Sequence, residues 1–291
     1  MWACLLAQAQ AQPLAEIPIS YRDGLLWVRV RIPQSSEPLN FLLDSGAATS
    51  VLTRQTAQRL GIKLLQHVSV RGVGTQTVGY WTQTLNANIS GVRLSQKFLA
   101  VDLQKLSAAC GQRVDGLLGA DFFRGRVVQI DYAAERMRLL PSSRTSATGQ
   151  VLPLRVEPNA LCVPIRVNGN APQWLRLDTG CATALHWVCA DHPPTPLTCQ
   201  LSIGLIEISM PVVQTTVELG TERCEDVPTR LHQREIFPGE SGLLGNGLLS
   251  RYRVTIDAPR GRVVLEQYAE VVANQHTNPI NGGHDGEDQT M

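Results

Sequence analysis

The chain has 291 residues, of which 43% are hydrophobic and 18% charged, and its formal net charge is +1 at pH 7. This composition is typical of a chain that folds around a buried core, and it excludes an intrinsically disordered protein. No long basic run accompanies the small net charge, so nothing indicates binding to nucleic acid or to an anionic membrane surface. The length allows one large domain or two of ordinary size.

The first residues have the character of a targeting segment. Residues 1–7 (MWACLLA) are apolar but too few to span a bilayer, and alternating small residues follow them in AQAQAQP. We interpret residues 1–14 as a remnant of a signal peptide and expect a secreted or periplasmic protein, with a cytoplasmic one as the alternative. No stable membrane insertion is expected.

The first half of the chain, residues 15–140, is rich in strand signals. Runs of apolar or alternating residues predict strands in LLWVRVRI from Leu25 and in NFLLD from Asn40. The second of these runs ends in Asp44-Ser45-Gly46. Residues 53–60 then contain good helix formers and end at Gly61, which predicts one helix.

A glycine-containing turn follows between two further strand-like runs. Residues 70–75 (VRGVGT) lie between VSV, from Val68, and TVGYWTQT, from Thr77. This pattern predicts a β-hairpin whose tip, at Gly72, Val73, Gly74 and Thr75, is mobile.

The remaining boundaries come from composition. Strands are predicted at 126–131 (RVVQID) and 253–257 (RVTID), and the small, polar residues 141–150 predict a linker between two halves. The second half covers 151–272, and within it the proline-rich residues 191–196 exclude a regular helix. Residues 273–291 are polar and Gly-rich, which predicts a disordered tail.

An internal repeat relates the two halves. FLLDSG, which ends at Gly46, corresponds to LRLDTG, which ends at Gly180, and DGLLGADFFRGRVVQID from Asp115 corresponds to SGLLGNGLLSRYRVTID from Ser241. The spacing from Gly119 to Asp131 is 12 residues, as is that from Gly245 to Asp257. Matched segments in the same order and at the same spacing predict a duplicated structure.

The repeat places two carboxylates, Asp44 and Asp178, in the same local setting. Each follows an apolar strand and precedes, by two residues, a glycine that allows a tight turn. If the two loops face one another, the carboxyls share one proton, because adjacent like charges do not both ionise cheaply. Such a pair can act as acid and base on one water molecule.

These motifs resemble those of the pepsin/retropepsin superfamily of aspartic proteases, over nearly all of residues 15–270. The resemblance implies a mostly β, two-lobed acid protease fold built from two duplicated β-barrel-like lobes, of the bacterial tandem retropepsin-like kind. It implies an endopeptidase with Asp44 and Asp178 as catalytic residues. Ser45, Gly46, Thr179 and Gly180 would orient them, and Leu117-Leu118-Gly119 and Leu243-Leu244-Gly245 would support the two loops. The hairpin tip at 72–75 would be the flap that closes over a peptide or protein substrate.

The residue after each glycine departs from the pepsin pattern. Ala47 and Cys181 lack the hydroxyl that pepsins carry there. Because a lost hydrogen bond to an ionised carboxylate raises its pKa, we expect this pair to titrate higher than that of pepsins, with an activity optimum at about pH 4–6.

Other interpretations remain. A non-catalytic peptide-binding protein of this fold is the main alternative, and sites formed between two chains are another; we expect a monomer. Cys181, His186, Cys189, His192 and Cys199 could ligate zinc, but their spacing matches no standard site, so we predict no metal and no cofactor. If Cys4 leaves with a leader, the other six cysteines favour disulfides, with Cys189, Cys199 and Cys224 expected to pair.

Overall fold

The computed structural model describes residues 12–72, 75–142, 149–189, 198–203 and 206–268. Over these residues the chain forms 23 strands, four short α-helices and one turn of 3-10 helix. The predicted mostly β fold class is therefore confirmed. No helix in the described part of the chain is both long and apolar enough to cross a bilayer.

The elements follow one another along the chain as short strands with few helices between them. The strands are β1 Ala15–Arg22, β2 Leu25–Val30, β3 Leu39–Leu43, β4 Val51–Thr53, β5 Leu64–Gly72, β6 Thr75–Thr82, β7 Leu85–Ile89, β8 Val92–Gln96, β9 Leu99–Val101, β10 Gly116–Leu118, β11 Val127–Asp131, β12 Arg136–Leu140, β13 Gln150–Pro153, β14 Arg155–Val156, β15 Leu161–Val167, β16 Gln173–Asp178, β17 Leu185–Val188, β18 Thr198–Ile203, β19 Ile206–Leu219, β20 Glu222–His232, β21 Gly242–Gly245, β22 Tyr252–Asp257 and β23 Arg262–Gln267. The helices are α1 Arg54–Arg59, α2 Gln104–Ala109, α3 Ala120–Phe123 and α4 Asn246–Leu249, and the 3-10 turn is Ala258–Arg260.

These strands form two large sheets and one hairpin. The first sheet has the order β13-β23-β22-β11-β12-β1-β2-β3-β10-β4-β9-β6-β5, and the second has the order β14-β15-β16-β21-β17-β20-β19-β18. The remaining pair is β7-β8. Strands from both predicted halves join in the first sheet, because β22 and β23 of the second half pair with each other and β22 pairs with β11.

The pairing of β11 with β22 has internal symmetry. Gln129 lies opposite Thr255, and its amide donates to the Thr255 hydroxyl at 3.1 Å. These two residues occupy the same position in the two copies of the sequence repeat, each two residues before the matched aspartate. Equivalent positions therefore pair with one another, as expected around a local twofold axis.

The predicted helix is confirmed as α1, which ends where Gly61 adopts a φ of 62° that favours glycine. Helix α2 was not predicted. The amide of Gln104, at the start of this helix, donates to the Asp102 carboxylate at 2.9 Å. Asp102, just before the helix, was therefore the sequence signal for its N-terminus.

One large hydrophobic core packs residues of both halves together, among them Leu43 and Leu177 beside the two Asp loops. A second, smaller cluster is built from first-half residues only. Its buried members are Trp27, Leu42, Val51, Leu99, Val101, Leu103, Val114 and Leu117. Because several of them also line the large cavity described below, we call this group the apolar wall.

The expected disulfide involving Cys224 is wrong. Cys224 is a buried free thiol whose sulfur lies 3.3 Å from the Tyr252 hydroxyl. Cys110, Cys162 and Cys181 are also free thiols, while Cys4 lies outside the described residues and so does the side chain of Cys199.

Candidate active site

Each of the two aspartates lies at the end of a strand that is held by a parallel neighbour. Strand β3 pairs with β10 through Leu43 opposite Leu118, and β16 pairs with β21 through Asp178 opposite Gly245. The amide of Asp44 donates to the Leu118 carbonyl at 2.9 Å. The two Gly-Leu-Leu-Gly segments of the repeat thus contain the strands that support the two Asp loops.

The residues after the aspartates hold the two loops together. The Ser45 amide donates to the Thr179 hydroxyl at 2.9 Å, and the Thr179 amide donates to the Ser45 hydroxyl at 3.0 Å. Each hydroxyl then donates across to the other strand, Ser45 to the Leu177 carbonyl at 2.7 Å and Thr179 to the Leu43 carbonyl at 2.8 Å. Both side chains are fully buried, so the four bonds form a reciprocal link that fixes the loops relative to each other.

This link predicts a stability effect. Ser45→Ala or Thr179→Ala removes a hydroxyl that accepts one buried bond and donates another, which is expected to lower the free energy of unfolding by about 2 kcal/mol. Urea denaturation measures the change. Thr179→Ser, which keeps the hydroxyl, is the matched control and should lose much less; equal losses in Thr179→Ala and Thr179→Ser would show that the methyl group, not the hydroxyl, matters.

The glycines of the two loops lie against the opposite carboxyl groups. A Cβ atom added to Gly46 would overlap the Asp178 carboxyl, and one added to Gly180 would overlap the Asp44 carboxyl. Glycine is therefore required at both positions by close approach, since neither has a positive φ. Each loop thus needs a glycine for the same reason, which is the space taken by the carboxyl of the other loop.

The two carboxyls lie close enough to change each other's pKa, and both are partly buried and line a cavity. Backbone amides also bind them: Ala47 donates to Asp44 Oδ1 at 3.0 Å, and Gly180 donates to Asp178 Oδ1 at 2.9 Å. Burial raises the pKa of both groups, and for Asp178 the charge of Asp44 raises it further. The pair therefore retains one proton over a range in which an exposed carboxyl would be ionised.

This shift is measured from an ordinary carboxyl, and burial is its largest contribution. That the pair titrates higher than the pair of pepsins, because Ala47 and Cys181 lack a hydroxyl, stays a prediction. The amide of Ala47 still donates to the Asp44 carboxylate. The thiol of Cys181 lies 3.2 Å from the Thr183 hydroxyl, and its own pKa is raised to about 12 by burial.

The cavity above the pair has a volume of about 1250 Å³ and has walls of different character. Leu42, Val51, Leu99, Val101, Leu103 and Leu117 of the apolar wall form one side. The lining from the second half is mixed: Glu157, Asn159, Arg176, Cys181, Thr183, His186 and Glu240 lie beside the apolar residues Pro158, Ala160, Ala182, Phe237, Pro238 and Leu243. This volume exceeds that of typical small-molecule pockets, so the cavity suits a larger, extended ligand.

Only part of the predicted flap lies within the described residues. Strands β5 and β6 pair antiparallel up to Gly72 opposite Thr75, and Arg71 and Gln76 line the cavity. The predicted hairpin is confirmed to this extent, whereas Val73 and Gly74 lie outside the described residues. Strands β18 and β19 form another hairpin in the second half, whose tip also lies outside them.

Sequence reasoning missed a buried arginine beside the Asp loops. Arg176, two residues before Asp178, forms an ion pair with Glu240, and its guanidinium also donates to the Gly46 carbonyl at 2.7 Å. The available signal was a charged residue in LRLDTG at the position where FLLDSG has Leu42.

A second missed residue is Asn246, which is fully buried. Its amide donates to the Thr179 carbonyl at 2.7 Å and to the Gly24 carbonyl at 2.8 Å, while its oxygen accepts from the Tyr132 hydroxyl at 2.8 Å. Asn246 thus connects the second Asp loop to two segments of the first half.

A chain of polar side chains leads away from the cavity on its second-half side. Thr183 Oγ1 lies 2.8 Å from His186 Nε2, and His186 Nδ1 lies 2.8 Å from His232 Nε2. Burial lowers the pKa of His186 to about 3 and that of His232 to about 4, with Arg230 contributing to both. Both imidazoles are therefore neutral above about pH 5. In the described residues, no group of three or more His, Cys, Asp or Glu side chains is arranged to hold a metal ion.

Comparison with known families finds a match to part of the chain. Residues 28–122, about a third of the sequence, match the family described as aspartyl protease. The match includes Asp44, strand β10 and Gly119, which supports an aspartyl protease domain and protease activity for this part of the chain. Asp178 lies beyond it. A search of the curated proteins finds no match to the chain.

Proposed function

We propose that the chain is an aspartic endopeptidase that hydrolyses peptide bonds with a water molecule activated between Asp44 and Asp178. The observation that carries the proposal is the carboxyl pair that lines a large cavity, each carboxyl packed against the glycine of the opposite loop and each with a raised pKa. Paired carboxyls whose ionisations are pushed apart are suited to combined acid and base catalysis. The aspartyl protease match over residues 28–122 supports the same reaction class.

The chemistry needs one ionised and one protonated carboxyl. The ionised carboxylate takes a proton from the water, and the water oxygen attacks the carbon of the peptide carbonyl. At the same time the protonated carboxyl gives its proton to the carbonyl oxygen. The tetrahedral intermediate then breaks its C–N bond: the carboxyl that took the proton of the water gives it to the amide nitrogen, and the other, now ionised, takes a proton from one hydroxyl of the intermediate as the carbonyl forms again. The pair is left with one proton. No covalent intermediate with the protein forms.

Four residues keep this pair in place without taking part in proton transfer. Ser45 and Thr179 fix the separation of the loops through their reciprocal bonds, and Gly46 and Gly180 allow each loop to approach the opposite carboxyl. Such fixed positioning supplies a large part of the rate enhancement in reactions of this kind.

The proposed substrate is an extended peptide or a flexible protein segment. The volume of the cavity suits an extended ligand, and the β5–β6 hairpin, whose predicted tip is Gly72, Val73, Gly74 and Thr75, would close over it and exclude water. We propose an exported monomer that needs no cofactor. The near-neutral net charge supports a peptide rather than a nucleic acid as ligand.

The test is cleavage of a diverse peptide library between pH 3 and pH 8, with products identified by mass spectrometry. Cleavage at defined bonds with an optimum below neutral pH is expected. A folded protein that binds peptides but cuts none at any pH would overturn the proposal in favour of a non-catalytic peptide-binding protein. Sedimentation in the same buffers checks whether the active species is a monomer.

A further inference from the structure

A charged side chain lies buried beside the carboxyl pair, where the sequence repeat has an apolar one. Arg176 is 4% exposed on strand β16, whereas Leu42, two residues before the other aspartate, belongs to the apolar wall. Burying an arginine is costly unless its charge and its N–H groups are all satisfied. An arginine kept at such a position therefore needs a specific set of partners.

The partners of Arg176 come from three separate segments. Nε donates to Glu240 Oε2 at 2.7 Å and Nη2 donates to Glu240 Oε1, which makes the ion pair bidentate. Nη1 donates to the Gly46 carbonyl at 2.7 Å and to the Asn159 carbonyl at 2.8 Å. The guanidinium also lies 4.0 Å from the centre of the Phe237 ring.

Two of these contacts concern the site directly. Gly46 belongs to the loop that carries Asp44, so Arg176 links strand β16, which carries Asp178, to the opposite loop. Asn159 lies in the turn between β14 and β15, which lines the cavity. One guanidinium thus joins both Asp loops and one edge of the cavity.

We propose that Arg176, with Glu240 as its counterion, is a positioning residue that holds the Asp44 loop and sets the electrostatic potential at the carboxyl pair. The Arg176 charge lowers the pKa of both Asp44 and Asp178, against the larger effect of burial. Glu240 is the carboxylate that neutralises this charge. The inference rests on the proposed function, because it concerns the same pair.

Six other ionisable residues line the cavity besides Arg176, Glu240 and the two aspartates. They are Asp23, Arg71, Cys110, Glu157, Cys181 and His186. The pKa of Cys181 is raised to about 12 and that of His186 is lowered to about 3, so Cys181 is neutral at acidic pH and His186 is neutral above about pH 5. Among the residues that the structure describes, Arg176 is the cation whose charge acts on both aspartates.

The experiment compares Glu240→Gln, Arg176→Met and the double variant Arg176→Met/Glu240→Gln with the wild type. Aspartate carboxyls are labelled with ¹³C, and their titration is followed by NMR, with Asp44→Asn and Asp178→Asn used to assign the two signals. The cleavage rate of one substrate peptide is measured over the same pH range. Arg223→Met/Glu225→Gln, which removes an exposed ion pair with a 3.2 Å contact outside the cavity, is the matched control.

The expected result is an ordered shift. Glu240→Gln leaves the arginine charge unbalanced and lowers the apparent pKa of the pair, whereas Arg176→Met leaves Glu240 unbalanced and raises it, each by about one pH unit. The double variant lies between the wild type and Arg176→Met, and the control matches the wild type. The acidic limb of the cleavage profile moves in the same order.

A purely structural role would give a different pattern. All variants would then lose stability or activity with no ordered change in titration, and that result overturns the inference. Glu240→Gln is nearly isosteric, so it provides the decisive shift even if Arg176→Met does not fold. If NMR shows the ordered shift but the wild type cuts no peptide, the protease proposal fails and the inference about the pair stands.

Discussion

Asp44→Asn and Asp178→Asn are each expected to lower kcat/KM for peptide cleavage by about 10⁴-fold, because each removes one member of a shared acid–base pair. An asparagine keeps the size of the side chain and can still accept the backbone bonds from Ala47 or Gly180. It cannot take up or release the proton that the reaction transfers. The loss should therefore lie in kcat, with peptide affinity largely retained.

The measurement is the initial cleavage rate of one peptide from the library, for both variants and the wild type, at the optimum pH and at neutral pH. Asp226→Asn is the matched control, since Asp226 is an exposed aspartate with a positive φ of 52° that asparagine also tolerates. It should cleave as the wild type does. Loss in one aspartate variant only would contradict a shared pair and leave a site built on a single carboxyl.

Mixing the two inactive variants separates sites within one chain from sites formed between chains. If Asp44 of one molecule paired with Asp178 of another, an equimolar mixture would regain a substantial fraction of the wild-type activity. If each aspartate paired with its own copy in a second molecule, each single variant would keep one intact site. The reciprocal Ser45–Thr179 link within one chain predicts neither result, and the mixture should stay inactive.

The parts of this site that sequence could predict are those encoded by local pattern. The strand, the aspartate and the glycine two residues later lie together in sequence, so the shape of each loop follows from neighbouring residues. The equal spacing from Gly119 to Asp131 and from Gly245 to Asp257 predicted a duplicated structure, and in the fold the equivalent residues Gln129 and Thr255 lie opposite each other. The internal repeat was therefore what related Asp44 to Asp178, two residues far apart in the sequence.

Contacts that occur in only one copy of the repeat were not predictable in this way. Arg176 and Glu240 are 64 residues apart, and the turn containing Asn159 lies beside Arg176 through the pairing of β14 with β15 and of β15 with β16. No period or motif links these positions. The prediction of a disulfide at Cys224 was wrong for a related reason. The number of cysteines indicated disulfides, but Cys224 packs against Tyr252 inside the fold.

The same aspartate variants are expected to differ from the wild type in stability, with the opposite sign to their effect on activity. Asp178→Asn should raise the free energy of unfolding at pH 7 by about 2 kcal/mol, since one pKa unit corresponds to about 1.4 kcal/mol. The reason is that the folded wild type keeps a buried pair with a raised pKa, whereas the unfolded chain ionises both carboxyls near their ordinary value of 3.8. The asparagine side chain of the variant carries no charge in either state.

The pH dependence follows from proton binding. Between the ordinary carboxyl pKa and the raised value, the folded wild type binds more protons than the unfolded chain, so its free energy of unfolding falls as the pH rises. Well below the ordinary pKa of 3.8 both states are protonated and the pair costs little. Urea denaturation at pH 4, 5.5 and 7 should therefore show a stability gain in Asp178→Asn that grows with pH, while Asp226→Asn follows the wild type. A loss of equal size at every pH would instead mean that the carboxyl stabilises the fold through its hydrogen bonds, and the raised pKa of the pair would be wrong.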